Sequence, residues 1–104
     1  MQVRIKGIVI GLAVGVRQMN SLMIYVVGKV NKPGMFVLNT NIDVLQGLAM
    51  AGGLNSFAKR GQIKVFRKLD GKTKIFDFDY DDVTDGEKLE QNIQLVRGDV
   101  IVVP

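Results

Sequence analysis

Apolar and polar positions change period several times along the chain, and each change predicts a different element. From Leu22 to Val30 the residues are apolar and rich in β-branched and aromatic types (Ile24, Tyr25, Val26, Val27, Val30), which predicts a strand. Asn31-Lys-Pro-Gly34 supplies a turn, and Met35 to Leu38 reads as the returning strand of a hairpin. The period then becomes helical: Val44, Leu45, Leu48, Ala49 and Ala51 define one buried face, with Thr40 as the expected N-cap and Asp43 near the positive end. Gly47 interrupts that helix at a cost of about 1 kcal/mol relative to alanine; close approach of a strand would account for it. Gly52-Gly53 ends the helix.

Asn55 to Gly61 is a polar connection with room for a short turn around Phe57 and Ala58. A period of two returns in Gln62 to Leu69 and in Lys72 to Tyr80, joined by Asp70-Gly71 as a hairpin turn. In the second of these strands Lys74, Phe76, Phe78 and Tyr80 share one face. Asp81 to Gln91 is acidic and turn-rich, and Asn92 to Val96 is a short bridge or strand. Arg97-Gly-Asp99 is a turn, and Val100 to Val103 is a final buried strand before Pro104. The order is hairpin, helix, hairpin, connection, strand. The α+β arrangement that buries all these faces is a small mixed sheet of about five strands gripping one main helix, the β-grasp.

Composition narrows the chemistry. The 104 residues are 47% hydrophobic and 23% charged, enough for one globular core that needs no disulfide or metal to fold. Cysteine and histidine are both absent. Thiol nucleophiles, zinc-thiolate sites, Ser-His-Asp triads and imidazole acid–base chemistry are thereby excluded, and a non-enzymatic role without cofactor or metal is expected.

The formal net charge of +4 hides a segregation. Lys59, Arg60, Lys64, Arg67, Lys68, Lys72 and Lys74 stand against Asp70 alone, and then Asp77, Asp79, Asp81, Asp82, Asp85, Glu87 and Glu90 stand against Lys88 alone. Two adjacent solvated faces that partly neutralise each other, a head-to-tail contact between copies, and a basic track for an acidic polymer all fit this pattern. Lys59, Arg60, Lys64, Arg67, Lys68 and Lys72 are the candidate contacts for the last two.

Residues 1–16 carry Arg4 and Lys6 before the apolar run Gly7 to Val16. A glycine-interrupted strand or linker is one reading, and a signal remnant or cut membrane segment is the other. The run falls short of the ~20 residues a membrane span requires.

Three motifs in order carry a resemblance. Val27-Gly-Lys-Val-Asn-Lys-Pro-Gly34, Leu48-Ala-Met-Ala-Gly-Gly-Leu54 and Gly98-Asp-Val-Ile-Val-Val-Pro104 resemble the signatures of the soluble-ligand-binding β-grasp (SLBB) family. Gln91-Asn-Ile-Gln-Leu95 before Arg97-Gly98-Asp99 is similar to the version in bacterial polysaccharide export proteins. Within these motifs Gly28, Val30, Pro33, Gly34, Ala51, Gly52, Gly53, Gly98, Asp99 and Pro104 are the fold-determining positions. The resemblance implies a domain over residues 18–104, preceded in 1–17 by a strand, a linker or the remnant of an export domain. It also implies a periplasmic protein associated with the outer membrane of a Gram-negative bacterium. The partners implied are copies of itself in a ring, an inner-membrane chain-length regulator or tyrosine kinase, and the exported capsular or exopolysaccharide. The lipid-anchoring cysteine, most of the export domain, a second copy of the module and a membrane-crossing C-terminal helix of the full-length pattern are missing, so a fragment or shortened gene product is expected.

Other chemistries fit the residues less well. Asp77, Asp79, Asp81 and Asp82 lack the glycine and closing glutamate of a calcium loop, and read as an acidic solvated edge. Arg97-Gly98-Asp99 spells an adhesive tripeptide but reads as the turn before the last strand. Related β-grasp modules occur in DNA-uptake proteins, yet no helix-hairpin-helix segment is present here. Phe66 is the only aromatic inside the basic stretch, so nucleic acid is not an expected partner. Direct binding of a sugar or small molecule is the alternative to a purely assembling role. Tyr25, Phe36, Phe57, Phe76 and Tyr80 are the aromatics available for it, and most are expected in the core.

Overall fold

The computed structural model describes residues 21–104. The strand, linker and signal readings of the first sixteen residues, and the boundary at residue 17, therefore lie outside the described residues. Leu22–Gly28 forms β1 and Gly34–Leu38 forms β2, an antiparallel pair in which Ile24 faces Phe36 and Tyr25 faces Met35. Helix α1 is Val44–Met50. Ile63–Leu69 (β3) and Lys72–Phe78 (β4) form the second hairpin. Its turn residues Asp70 and Gly71 both have positive φ, 52° and 80°, the mirror-image turn whose twist matches the flanking strands. Helix α2 is Tyr80–Thr84, a 3-10 turn covers Leu89–Gln91, and Val100–Val103 is β5.

The last strand enters between the two hairpins, giving the order β2-β1-β5-β3-β4. It runs parallel to β1 and antiparallel to β3. Without β5 the hairpins would share no ladder. The strands turn Leu22, Ile24, Val26, Ile63, Val65, Phe78, Ile101 and Val103 toward one face, where Val44 and Leu48 of α1, Val83 of α2 and Leu95 close the core. Each such side chain contributes about 1.5–3 kcal/mol of apolar burial. The fold is the α+β β-grasp that the order of elements predicts.

Three local expectations are corrected. Asp43, not Thr40, caps α1: its Oδ1 accepts from the Gln46 amide at 2.8 Å, while Gln46 Oε1 accepts from the Asp43 amide at 3.0 Å. This reciprocal capping box satisfies two donors at once, and it starts the helix later than the sequence pattern suggests. Ala49 is exposed, because the shortened helix buries only Val44, Gly47 and Leu48. Tyr80 begins α2 instead of ending β4, since Asp79 Oδ1 accepts the Asp82 amide and turns the chain.

Two glycines explain how closely the layers approach. A Cβ on Gly47 would lie 3.1 Å from the side-chain tips of Ile101 and Leu95 and 3.4 Å from that of Ile24, so the glycine lets α1 sit down on β1 and β5. Gly28 has φ +99°, and a Cβ there would collide with the Val103 carbonyl oxygen of the neighbouring strand. Gly28→Ala is expected to lower stability by about 2–4 kcal/mol, from strain and displaced β5 pairing together. A urea-unfolding midpoint close to that of the parent protein would contradict this account.

Candidate functional site

The segregated charges meet each other inside the molecule. Arg60 pairs with Asp81 at 2.9 Å, and its guanidinium lies 5.0 Å from the Tyr80 ring centre. Lys64 pairs with Asp77 across the β3–β4 ladder, as their register requires. Lys88 pairs with Asp82 at 3.0 Å, and this hydrogen bond together with the carboxylate charge holds the Lys88 ammonium above its usual pKa. Asp79 is occupied as the α2 cap. The four carboxylates from Asp77 to Asp82 thus each have a structural task, and among the described residues no group of three acids is placed to hold a metal ion. Of the six candidate contacts, Lys59, Lys68 and Lys72 are exposed and make no ion pair among the described residues. Arg60 and Lys64 are exposed but paired.

Arg67 has a different place. It leaves the surface and meets Asp99, whose side chain is only 1% exposed. Nε donates to Oδ1 at 3.0 Å and Nη2 to Oδ2 at 2.8 Å, a two-pronged contact. The same Nη2 donates to the Gln94 carbonyl at 2.9 Å, and the Val96 amide donates to Asp99 Oδ2 at 2.9 Å. The Phe76 ring lies under the guanidinium at 4.9 Å. The planar fork of arginine matches a carboxylate in a way lysine cannot, and its weaker hydration makes it the cation that tolerates such burial. This corrects the expectation for Arg67: it locks β3 to the turn that leads into β5, and it is not available for a charged partner. Two residues singled out for separate reasons, one as a surface cation and one as a motif turn, are one buried unit.

The remaining motif positions sit along the joints of the fold. Val30 bridges to Leu54, Ala51 caps α1, and Pro33-Gly34 leads into β2. Gly52 and Gly53 follow the helix, Gly98 precedes Asp99, and the Pro104 carbonyl accepts the Lys59 amide. Gln91 and Asn92 also hold structure, since Gln91 Oε1 accepts from the Asp79 amide and Asn92 Oδ1 from the Leu45 amide.

On the face of the sheet away from the helices, β2, β1 and β5 are apolar where a solvated face would alternate to polar, whereas β3 and β4 alternate as Lys64-Phe66-Lys68 and Thr73-Ile75-Asp77. Register aligns Met35, Tyr25, Val100, Phe66 and Ile75 in one row, one residue from each strand. With strands about 4.8 Å apart, this row spans roughly 19 Å. Met35 is 54% exposed, its neighbour Val37 58% and Ile75 53%, and no described element covers them. A groove of about 480 Å³ opens on the same face between Phe66, Lys68, Thr73, Val100 and Val102. Among the described strands the two edges of the sheet differ as well: β4 carries Lys72, Lys74 and Asp77, which discourage strand addition, whereas β2 is uncharged. The sequence shows this face only as unbroken apolar runs in β1 and β5, whose second side has no assignable cover. Phe57, on the polar connection and one of the five aromatics available for a ligand, is 78% exposed.

The SLBB domain family model matches residues 23–76, just over half of the chain, from β1 through most of β4. No curated protein matches the chain in sequence. The matched region contains Arg67 but stops short of β5 and Asp99.

Arg67→Ala would leave the Asp99 carboxylate buried without its cation, and the expected loss of stability is about 3–5 kcal/mol by chemical denaturation. Arg67→Lys should recover only part of it, because one ammonium cannot reproduce the paired bonds to both carboxylate oxygens together with the bond to Gln94. A loss below about 1 kcal/mol for the alanine variant, the size typical of an exposed pair, would remove the contact from its central place.

Proposed function

Since the chain belongs to the SLBB domain family, whose members are non-catalytic binding modules found in polysaccharide export proteins, we propose that it is a module of a bacterial polysaccharide export assembly that joins neighbouring copies through the open face of its sheet. The assembly would stand in the periplasm at the outer membrane, with an inner-membrane chain-length regulator or tyrosine kinase as partner and a capsular or exopolysaccharide as cargo. The apolar row across all five strands carries the reading. Strands β1 and β5 have the composition of strands buried on both sides, and a second copy is the occupant that would bury the other side. The uncharged β2 edge, continuous with Met35 and Val37, supports contact there in preference to β4. A ring further requires that the surface on the neighbouring copy be a different one, so that each copy is both donor and acceptor of the contact.

The charged segments have a smaller part in this reading than the sequence suggests, because Arg60, Lys64 and Arg67 are satisfied within the chain. Direct binding of a soluble ligand is the second reading, favoured by the exposed Phe57 and by the groove beside Phe66.

Sedimentation velocity over a range of concentrations tests the assembly role. The parent chain is expected to associate with little sensitivity to salt, and Val37→Glu is expected to sediment as a monomer with an unchanged unfolding midpoint, since Val37 is exposed in the single chain. A parent chain that stays monomeric throughout, or a variant that associates equally well, would overturn the contact. In the host, the parent gene is expected to restore surface polysaccharide to a deletion strain and the Val37→Glu gene to fail; normal surface polysaccharide in the deletion strain would overturn the export role.

A further inference from the structure

Phe57 is the most exposed of the large hydrophobic side chains among the described residues, at 78%. Leaving a phenylalanine in water forgoes about 1.5–3 kcal/mol of burial, yet the loop that carries it is fixed. The Asn55 side chain accepts the Phe57 amide at 2.8 Å, and the Ala58 amide donates to the Asn55 carbonyl at 3.2 Å. Leu54 and Ala58 on either side pack against the core. The ring is thus presented to solvent by a backbone held at both ends.

Lysines surround the same place. The Asn55 amide donates to the Lys29 carbonyl at 3.0 Å, the Lys29 amide to the Val103 carbonyl at 2.8 Å and the Lys59 amide to the Pro104 carbonyl at 2.7 Å. These bonds bring Lys29, Phe57 and Lys59 to the end of the sheet where β1 and β5 both terminate. Lys32 joins them from the adjoining turn, with its amide on the Ala51 carbonyl and its stem over Gly52. Lys29, Lys32 and Lys59 are exposed, and none is paired with an acid among the described residues. Asp79 and Asp81, on the segment after β4, are engaged by the α2 cap and by Arg60.

We infer that this end of the sheet binds an acidic saccharide chain, with the C–H face of a pyranose ring on Phe57 and its carboxylates among Lys29, Lys32 and Lys59. The site names the ligand's chemistry within the export reading, and rests on it. A single aromatic ring offers no succession of stacking platforms for bases, which argues against single-stranded nucleic acid. One apolar side chain between Ser56 and Ala58 is also a small anchor for a lipid surface. A hexuronate polymer needs only one apolar contact per site and a positive field, and the three unpaired lysines supply that field.

The test is titration of the full chain with alginate-derived oligouronate, followed by amide chemical shifts and calorimetry. Shifts are expected at residues 29–32 and 55–59, with affinity falling as salt rises. Phe57→Ala should weaken binding about tenfold and Lys29→Gln with Lys59→Gln at least tenfold, while Lys72→Gln, at the opposite hairpin tip, should leave it unchanged. Equal binding of neutral dextran, preference for an oligodeoxynucleotide or for anionic phospholipid vesicles, or loss of binding in Lys72→Gln but not Phe57→Ala would each overturn the site. The two proposals fail separately: absent oligouronate binding alongside a deletion strain that still loses its surface polysaccharide refutes this site alone. Binding alongside normal export refutes the export reading alone.

Discussion

Asp99 sits at the entrance to β5, its carboxylate out of water, and a charge in that position has to be answered by donors from more than one element. Arg67 answers it from β3 with two parallel bonds, and the Val96 amide answers it from the turn. Because the same guanidinium also holds the Gln94 carbonyl, the connection from the 3-10 turn to β5 is tied at two points to a strand nearly thirty residues earlier. Gln94 in turn bridges Asp43, the cap of α1. One ion pair therefore links β3, the last connection, β5 and the start of the helix. A buried pair of this kind gives little net stability over a well-packed apolar alternative, and breaking it from one side is costly. Its contribution here is the position of β5.

That position decides the sheet. Among the described residues β5 is the only strand that contacts both hairpins, and its inward residues Ile101 and Val103 complete the core beneath α1. At Gly28 and Gly47 side-chain volume would keep the layers apart. Motif residues that look like separate turns in the sequence are thus joints of one closure: the β1 end against Val103, the helix against Ile101, and Asp99 against Arg67.

The same closure sorts the surfaces. Arg60, Lys64 and Lys88 pair locally with Asp81, Asp77 and Asp82, while the outward side of β2, β1 and β5 is left apolar and the β1–β5 end carries lysines around Phe57. The charge count of a segment therefore does not by itself mark the surfaces suited to a partner or ligand, because Arg60, Lys64 and Arg67 of the basic segment are satisfied by Asp81, Asp77 and Asp99.

The sequence by itself determined the class and order of the elements, because hydrophobic period and glycine-proline punctuation are local properties: both hairpins, the helix from Val44 and the terminal strand are readable there. It also removed histidine and cysteine chemistry, since that depends only on which residues exist. It misplaced the cap of α1 and missed α2: α1 is set by a reciprocal capping box between Asp43 and Gln46 with three buried residues, and α2 by one side-chain bond to Asp79 with Val83 alone buried. The pairing of Arg67 with Asp99, the apolar row from Met35 to Ile75 and the meeting of Lys29, Phe57 and Lys59 were decided by tertiary structure alone. Each joins residues far apart in the chain, and only the insertion of β5 between the hairpins fixes which distant residues share a face.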